Sequence, residues 1–222
     1  MRRYKRFLAD VEIEDGSELT VYCPNTGAMT GCLDRDAEVW LSRSDNQNRK
    51  YMFTLELVNS RTGLVCVHAA RANTVVKEGF SRGLFKEFSV YPDLSTEVRY
   101  GSRSRADFVL SGDLGRIVVE VKSVTLDLGD GIGVFPDAVS GRALKHAREL
   151  QKAISQNSRS IIIFCVLHSG IRQVSIARQI DPAYYSALKS AITAGVEVQA
   201  WSVRISTSSL MLDRRIPFNL DL

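Results

Sequence analysis

The 222-residue sequence lacks several features that would identify its class directly. Its four cysteines form no CxxC pair and have no matched Cys/His spacing, which argues against a zinc site. Cys66 and Cys165 lie within apolar runs, so we expect buried, reduced thiols there. No apolar run is long enough to span a bilayer, and no apolar signal core follows the basic first residues. These absences predict a cytoplasmic protein that does not enter a membrane.

The composition is that of an ordinary globular protein, with 45% hydrophobic and 24% charged residues. The formal net charge is +4, and the basic surplus lies in residues 71–222, which hold 20 Lys and Arg against 15 Asp and Glu. Earlier in the chain the basic residues form clusters near the N-terminus and in the polar segment 42–50. Basic clusters suit a polyanion, because each neutralised phosphate releases a counterion. A solvated basic face is the alternative that charge alone leaves open.

Residues 1–70 predict short strands joined by turns, without a convincing helix. Asp15-Gly16 is a hairpin signal between two alternating segments. The strand candidates are residues 4–13, 19–23, 37–41, 51–58 and 64–67. We therefore predict an OB-type β-barrel over residues 1–70.

Residues 71–222 predict alternating strands and helices, and therefore an α/β layer with a mixed central sheet and right-handed crossovers. The predicted helices are 70–78, 84–88, 140–154 and one that Asp181-Pro182 opens and Gly195 closes. The predicted strands are 105–110 and 116–122, joined as a hairpin, then 160–167 and 196–205. The whole chain is thus expected to be α/β, or α+β overall, in two closely packed domains, 1–70 and 71–222.

The segments around Asp107 and Glu120-Val121-Lys122 carry the candidate chemistry. With a hairpin loop at 112–115, Asp107 lies opposite Glu120, and Lys122 points to the same face as Glu120. Two carboxylates this close repel each other unless a cation compensates, and Mg²⁺ or Mn²⁺ fits such an oxygen site. Asp107, Glu120 and Lys122 are therefore the candidate catalytic residues of a metal-dependent phosphodiesterase. A plain salt bridge on an exposed sheet face is the alternative, although the apolar neighbours of Glu120 weigh against it.

Further candidates surround this hairpin. Glu97 precedes it by one short element and is a candidate third metal ligand, with a surface glutamate as the alternative. Arg142 and His146 share one face of the helix 140–154, with Lys145 beside them, and are candidates for binding a DNA phosphate. Asp137 is expected either to cap that helix or to supply an outer carboxylate, and the isolated His68 and His168 are expected to be structural.

The remaining candidate DNA contacts are basic and amide side chains near the N-terminus, in the loop-like segments 23–31 and 42–50, and at the start of the predicted strand 105–110. They are Arg3, Lys5, Arg6, Asn25, Arg43, Asn46, Arg49, Lys50 and Arg105.

Several separate blocks, in order along nearly the whole chain, resemble the sugar fermentation stimulation protein A family of bacteria. The blocks are Arg3 to Phe7, Cys23 to Gly27, Ser44 to Asn46 with Arg49 to Tyr51, Ser104 to Phe108, Glu120 to Leu126, Phe135 to Val139, and Val166 to Ser169. The resemblance implies an N-terminal OB-fold domain followed by a restriction-endonuclease-like domain similar to PD-(D/E)XK nucleases. It also implies DNA binding and an association with the regulation of sugar (maltose) metabolism.

The nuclease motif implied by this resemblance maps onto Asp107, Glu120 and Lys122, with Ala106 where the motif has proline. Two functions stay open: a metal-dependent DNA endonuclease, and a catalytically silent DNA-binding transcriptional regulator. Both predict DNA as the partner, in duplex form, and a homodimer is the candidate assembly.

Overall fold

The computed structural model describes residues 1–34, 36–100 and 104–221. The strands are β1 Arg2–Tyr4, β2 Leu8–Glu12, β3 Glu18–Tyr22, β4 Val39–Arg43, β5 Phe53–Ser60, β6 Gly63–Cys66, β7 Asp93–Tyr100, β8 Ser104–Gly112, β9 Gly115–Val124, β10 Leu126–Asp127, β11 Ile132–Phe135, β12 Ser158–Val166, β13 Gln173–Ile176, β14 Glu197–Ile205, β15 Leu210–Ile216 and β16 Phe218–Asn219. The helices are α1 Arg71–Ser81, α2 Gly141–Ala153 and α3 Pro182–Thr193, with a short 3-10 helix at Lys86–Phe88.

The N-terminal strands form one curved sheet in the order β1-β2-β3-β5-β4, with β6 paired to β5. Neighbouring strands are antiparallel except β3 and β5, which meet in parallel at Tyr22 and Thr54. Side chains alternate across the strands, so every second residue enters a common core. Ala9, Val21 and Leu55 are fully buried in that core.

The central sheet of the second part runs β15-β14-β12-β9-β8-β7. Its middle strands β14, β12 and β9 are mutually parallel, and antiparallel strands flank them on both sides. β12 is buried along almost its whole length, as expected of an apolar strand covered on both faces. Helices α2 and α3 pack on one face, and α1 with the 3-10 helix packs on the other.

A smaller sheet, β10-β11-β13-β16, lies beside the central one. β11 pairs in parallel with β13, and β13 pairs in parallel with β16. The segment between β11 and α2 therefore leaves this sheet close to the carboxyl end of β9.

The two parts of the chain are joined by a backbone ladder rather than by side chains alone. Cys66 N donates to Leu167 O at 2.9 Å, and Ser169 N donates to Leu64 O at 2.9 Å. Leu57 and Cys66 of the barrel are also buried in the core that α1 forms on the central sheet. The barrel and the α/β part therefore share both hydrogen bonds and apolar packing.

The predicted helices are present, and α3 has the expected ends: Asp181 accepts from Tyr184 N at 2.9 Å, and Gly195 has φ +104°. All four cysteines lie within the described residues and are free and buried, as expected for Cys66 and Cys165. No helix in the described ranges is long and apolar enough to cross a membrane.

Candidate active site

Strands β8 and β9 bring the predicted catalytic residues together. The hairpin register runs from Gly112 opposite Gly115 to Phe108 opposite Val119. The paired residues end there, and the Asp107 side chain lies next to the backbone of Val121, the residue after Glu120. Asp107, Glu120 and Lys122 all line the same cleft.

Asp107 is fixed by two hydrogen bonds from different elements. Its Oδ2 accepts from Val121 N at 2.7 Å, and its Oδ1 accepts from Asn73 Nδ2 on α1 at 2.8 Å. Burial and the nearby charge of Glu120 raise the pKa of the Asp107 carboxyl, and these two hydrogen bonds only partly oppose the rise. An added positive charge would therefore stabilise its ionised form.

Glu120 is 3% exposed and makes both of its ionic contacts through one oxygen. Oε1 accepts from Lys122 Nζ at 2.5 Å and from His146 Nδ1 on α2. Burial acts to raise the pKa of Glu120, but the hydrogen bond from His146 and the charge of Lys122 outweigh it and lower the pKa. Oε2 is also buried, and it has no hydrogen-bond partner among the residues that the structure describes.

The cleft has a volume of about 590 Å³ and is bounded by both parts of the chain. Arg6, Thr26 and Gly27 of the barrel face the Asp107–Glu120 pair. Another part of the rim is formed by the segment 134–143, which runs from β11 into α2. A bound molecule in this cleft would touch the barrel and the carboxylates together.

The carboxylate pair fits a magnesium-type ion. Such an ion accepts one or two protein carboxylates, keeps several waters and prefers hard oxygen ligands. Glu120 Oε2 is an oxygen of this kind without a partner in the described part of the chain, and Asp107 is close enough to feel the charge of Glu120. Within the described residues no group of three or more His, Cys, Asp and Glu side chains is placed to hold a metal ion. The carboxylates that this site offers to an ion are those of Asp107 and Glu120.

The predicted third ligand, Glu97, is not assembled with that pair. Glu97 lies on β7, lines the cleft and is exposed, with a backbone φ of +54°. Glu97 is part of the cleft lining. Among the described residues it does not form a three-ligand group with Asp107 and Glu120.

Three predicted DNA contacts instead form hydrogen bonds with other residues of the protein. Arg3 donates to the backbone oxygens of Asn25 at 2.6 Å and Gly27 at 2.7 Å, so it holds the loop between β3 and β4. Asn25 is buried, donating through Nδ2 to Val67 O and accepting at Oδ1 from Gly27 N. His146 is buried against Glu120, because α2 turns that position toward the sheet.

The other predicted DNA contacts remain on the surface. Arg6 and Arg142 are exposed at the cleft, and Arg49 is half-buried with its guanidinium over the Tyr22 ring. Further exposed candidates are Lys5, Arg43, Asn46, Lys50, Arg105 and Lys145.

Two further residues shape the site. Asn73 orients Asp107 and was not predicted from the sequence. The sequence feature that could have indicated it is an amide next to the buried face of α1. Asp137 neither caps α2, which Ser140 does, nor joins a three-ligand group. Its Oδ2 accepts from Met29 N at 3.0 Å, so it ties the cleft rim to the barrel.

The two isolated histidines differ in their surroundings. His68 is not alone, since its Nδ1 lies 3.0 Å from Glu56 Oε2. His168 is buried, accepts from Gly170 N at 3.0 Å and lies 3.2 Å from Thr62 Oγ1, as suits the expected structural role.

Comparison with known proteins agrees with this architecture. The family profile described as the SfsA N-terminal OB domain matches residues 1–67, and the sugar fermentation stimulation protein RE domain matches residues 70–209. A Pyrococcus furiosus SfsA solved in complex with Ca²⁺ has the same fold, with a TM-score of 0.87 over 99% of this chain and 94% of that one at 21% identity. The predicted OB-type barrel and the α+β class are confirmed.

Curated relatives extend the likeness over the full chain. A sugar fermentation stimulation protein homolog of Saccharophagus degradans is 46% identical over 97% of this chain and 94% of its own length. Homologs from Shewanella baltica and Pseudoalteromonas translucida are 48% and 47% identical over 96% and 98% of this chain, covering 92% and 94% of their own lengths. The chain belongs to the sugar fermentation stimulation protein family.

Proposed function

We propose that this protein binds DNA and hydrolyses its phosphodiester bonds with a divalent cation, Mg²⁺ or Mn²⁺, held by Asp107 and Glu120. The observation that carries the proposal is Glu120, a buried carboxylate with one oxygen bound by Lys122 and His146 and the other without a partner among the described residues. A buried, unsatisfied carboxylate oxygen is costly, and an ion would satisfy it. The Ca²⁺ bound by the P. furiosus relative supports a divalent cation in this fold.

Each side chain has a role that follows from its contacts. The bound ion would supply Lewis-acid polarisation of the phosphate and a more acidic water. Val121 N and Asn73 orient the Asp107 carboxylate, and His146 holds Glu120 from the helix side. The Lys122 ammonium supplies positive charge where negative charge develops on the reacting phosphate.

The surface charge supports DNA as the substrate. Arg6 and Arg142 stand at the cleft, and further basic side chains are exposed on the barrel. Such a surface grips phosphate without selecting bases. We place this activity in the cytoplasm, where buried reduced thiols are usual, and propose a homodimer as its assembly.

One observation favours a second function, a catalytically silent DNA-binding regulator of sugar metabolism. Lys122 forms an ion pair with Glu120, and His146 forms a hydrogen bond with the same Glu120 oxygen. A site that is balanced in this way can persist as a structural ion pair on a DNA-binding surface, and the family name refers to sugar fermentation.

Incubation of the protein with plasmid DNA, and in parallel with a labelled single strand, in the presence of Mg²⁺ or Mn²⁺ tests the proposal. We expect cleavage that Glu120→Gln reduces by about 100-fold or more, the scale on which loss of one charge-stabilising group acts. The exposed Glu12→Gln variant serves as the matched control and should cleave as the wild type does.

Thermal denaturation with and without added Mn²⁺ measures metal binding independently of DNA cleavage. An ion at 100 times its dissociation constant should stabilise the wild type by about 2.7 kcal/mol, and Glu120→Gln should lose that increment. DNA binding without cleavage in either metal would contradict the enzyme and support the regulator.

A further inference from the structure

Phe7, Tyr22 and Arg49 form a strip on the outer surface of the barrel, which we call the aromatic strip. Phe7 is 42% exposed although it is a large apolar residue. Its ring centroid lies 6.4 Å from that of Tyr22, with 23° between the planes. The Arg49 guanidinium lies 5.5 Å from the Tyr22 centroid. The strip therefore consists of two neighbouring aromatic rings with a positive charge beside the second ring.

The turn that presents Phe7 is held in an unfavourable backbone conformation. Lys5 and Arg6 have φ of 48° and 62°, a region that side chains other than glycine rarely adopt. Arg3 pins this turn by donating to Arg6 O at 2.9 Å and 3.2 Å. Cys23 N donates to Phe7 O at 2.8 Å, which anchors the other end. Strain maintained in this way is a feature of functional sites.

The strip leads into the cleft. Arg6, the residue next to Phe7, lines the cleft with Glu120 and Lys122. At the far end, Arg49 and Lys50 belong to the polar loop, and Lys50 lies 5.5 Å from the centroid of the Tyr51 ring. That loop, residues 42–50, holds three basic residues against one acidic residue, Asp45. Its charge thus suits a phosphate backbone.

We propose that the aromatic strip binds an unpaired DNA strand and guides it toward the Asp107–Glu120 site. A base would stack on the exposed Phe7 ring, which Tyr22 supports from the other side, and phosphates would pair with Arg49 and Arg6. In a duplex the bases are already stacked on each other, so only an unpaired strand offers base faces to protein rings. This selects a single strand, or a duplex with a single-stranded tail, over the fully paired DNA expected from sequence. The cleavage step rests on the proposed function, but binding by the strip does not.

Fluorescence anisotropy without divalent metal tests the strip. The ligands are a labelled oligothymidylate of about 12 nucleotides, a length that one such barrel covers, and a duplex of the same length. We expect tighter binding of the single strand, and we expect Phe7→Ala to weaken it about tenfold through loss of one stacked base. Duplex affinity should stay unchanged within about twofold, because duplex binding depends on phosphate contacts.

Matched variants separate stacking from folding. Phe7→Tyr keeps a ring and should retain single-strand affinity, whereas Phe7→Leu keeps an apolar side chain without a ring and should lose it. Leu114→Ala removes another exposed apolar side chain, 67% exposed in the turn between β8 and β9, and should change nothing. Arg49→Ala should flatten the logarithmic salt dependence of single-strand binding by about 0.7.

Equal losses for single strand and duplex in Phe7→Ala would overturn the proposal, as would unchanged single-strand binding. The two proposals also fail separately. If Glu120→Gln cleaves normally while Phe7→Ala loses single-strand affinity, the nuclease site is wrong and the strip stands. If Phe7→Ala and Phe7→Leu bind normally while Glu120→Gln loses cleavage, the strip is wrong and the nuclease stands.

Discussion

Glu56 is a carboxylate whose ionised form is stabilised by neighbours from both parts of the chain. Arg71 of α1 donates to both of its oxygens, at 3.0 Å and 2.7 Å, and Ser42 Oγ donates at 2.8 Å. Burial acts to raise the pKa of Glu56, but the hydrogen bonds from His68 and Arg71 prevail and hold the pKa far below its ordinary value. The charged form therefore contributes to folding.

The pH dependence of stability should report this carboxylate. A lowered folded-state pKa means that the contribution is present above the ordinary value of 4.5 and is lost as pH falls below it. Glu56→Gln should therefore lower the free energy of unfolding at pH 7 and weaken its fall below pH 4.5. Urea denaturation over a pH series measures both effects, with the exposed Glu12→Gln as control. Parallel pH curves for Glu56→Gln and wild type would contradict this assignment.

Side chains that the backbone geometry brings together at the candidate site were predictable from the sequence. Asp107 and Glu120 follow from the hairpin register, because a short loop fixes which residues face each other. The roles of Arg3 and Asn25 were not predictable. Arg3 binds backbone oxygens of residues 25 and 27, and Asn25 binds the oxygen of residue 67. A donor in a loop has the same sequence signature whether its acceptor is a carbonyl oxygen or a phosphate.

At the scale of elements, a long buried strand is easier to predict from the sequence than an exposed or very short one. β12 is buried at nearly every position, and its continuous apolar run is visible in the sequence. β7 is an edge strand with mostly exposed side chains, and its polar sequence carries no clear alternation. β10 and β16 each span two residues, too short for any periodicity. These strands exist because a neighbouring strand supplies their hydrogen bonds.

The N-termini of α2 and α3 are linked through Asp181. This buried carboxylate caps α3 by accepting from Tyr184 N at 2.9 Å. It also accepts from Ser140 N at 2.9 Å, and Ser140 Oγ in turn caps α2 by accepting from Ala143 N at 3.1 Å. Because α2 carries His146 to Glu120, this link fixes the helix side of the candidate site.

Removal of the two caps should have unequal costs. Ser140→Ala should lower the free energy of unfolding by about 1 kcal/mol, as is usual for a helix cap. Asp181→Ala should cost more, about 2–4 kcal/mol, because it leaves two backbone donors without their acceptor. Urea denaturation compares them, with the exposed Ser186→Ala as control. Equal costs for Ser140→Ala and Asp181→Ala would show that the second bond of Asp181 contributes nothing.

At the scale of the whole molecule, the sequence shows where short strands give way to alternating strands and helices. It does not show the contacts that join these two parts, which we call the joint. The ladder from Leu64 and Cys66 to residues 167 and 169 spans about a hundred residues of sequence. No local pattern encodes such a pairing. Nor does any pattern show that Leu57 of the barrel completes the core beneath α1.

Gly27 and Asp137 form a close contact across this joint. A Cβ atom on Gly27 would lie 2.3 Å from Asp137 Oδ2. Gly27→Ala should therefore force the cleft rim away from the barrel and lower the free energy of unfolding by about 1–3 kcal/mol. Asp137→Ala removes the obstructing carboxylate together with its bond to Met29 N.

Urea denaturation of both single variants and the double variant measures the coupling. The double variant should be less destabilised than the two single effects added together, because the clash is absent from it. Strict additivity would mean that Gly27→Ala acts elsewhere.

The backbone ladder between β6 and residues 167–169 also determines how a substrate can enter. Moving the barrel away from the α/β part would break these main-chain hydrogen bonds. It would also expose Leu57 and Cys66, which are buried in the core that the two parts share. The gap in front of the carboxylates is therefore set when the chain folds. If the proposed function holds, a nucleic acid would have to fit that gap at its folded width, so the entrance would select substrates by thickness.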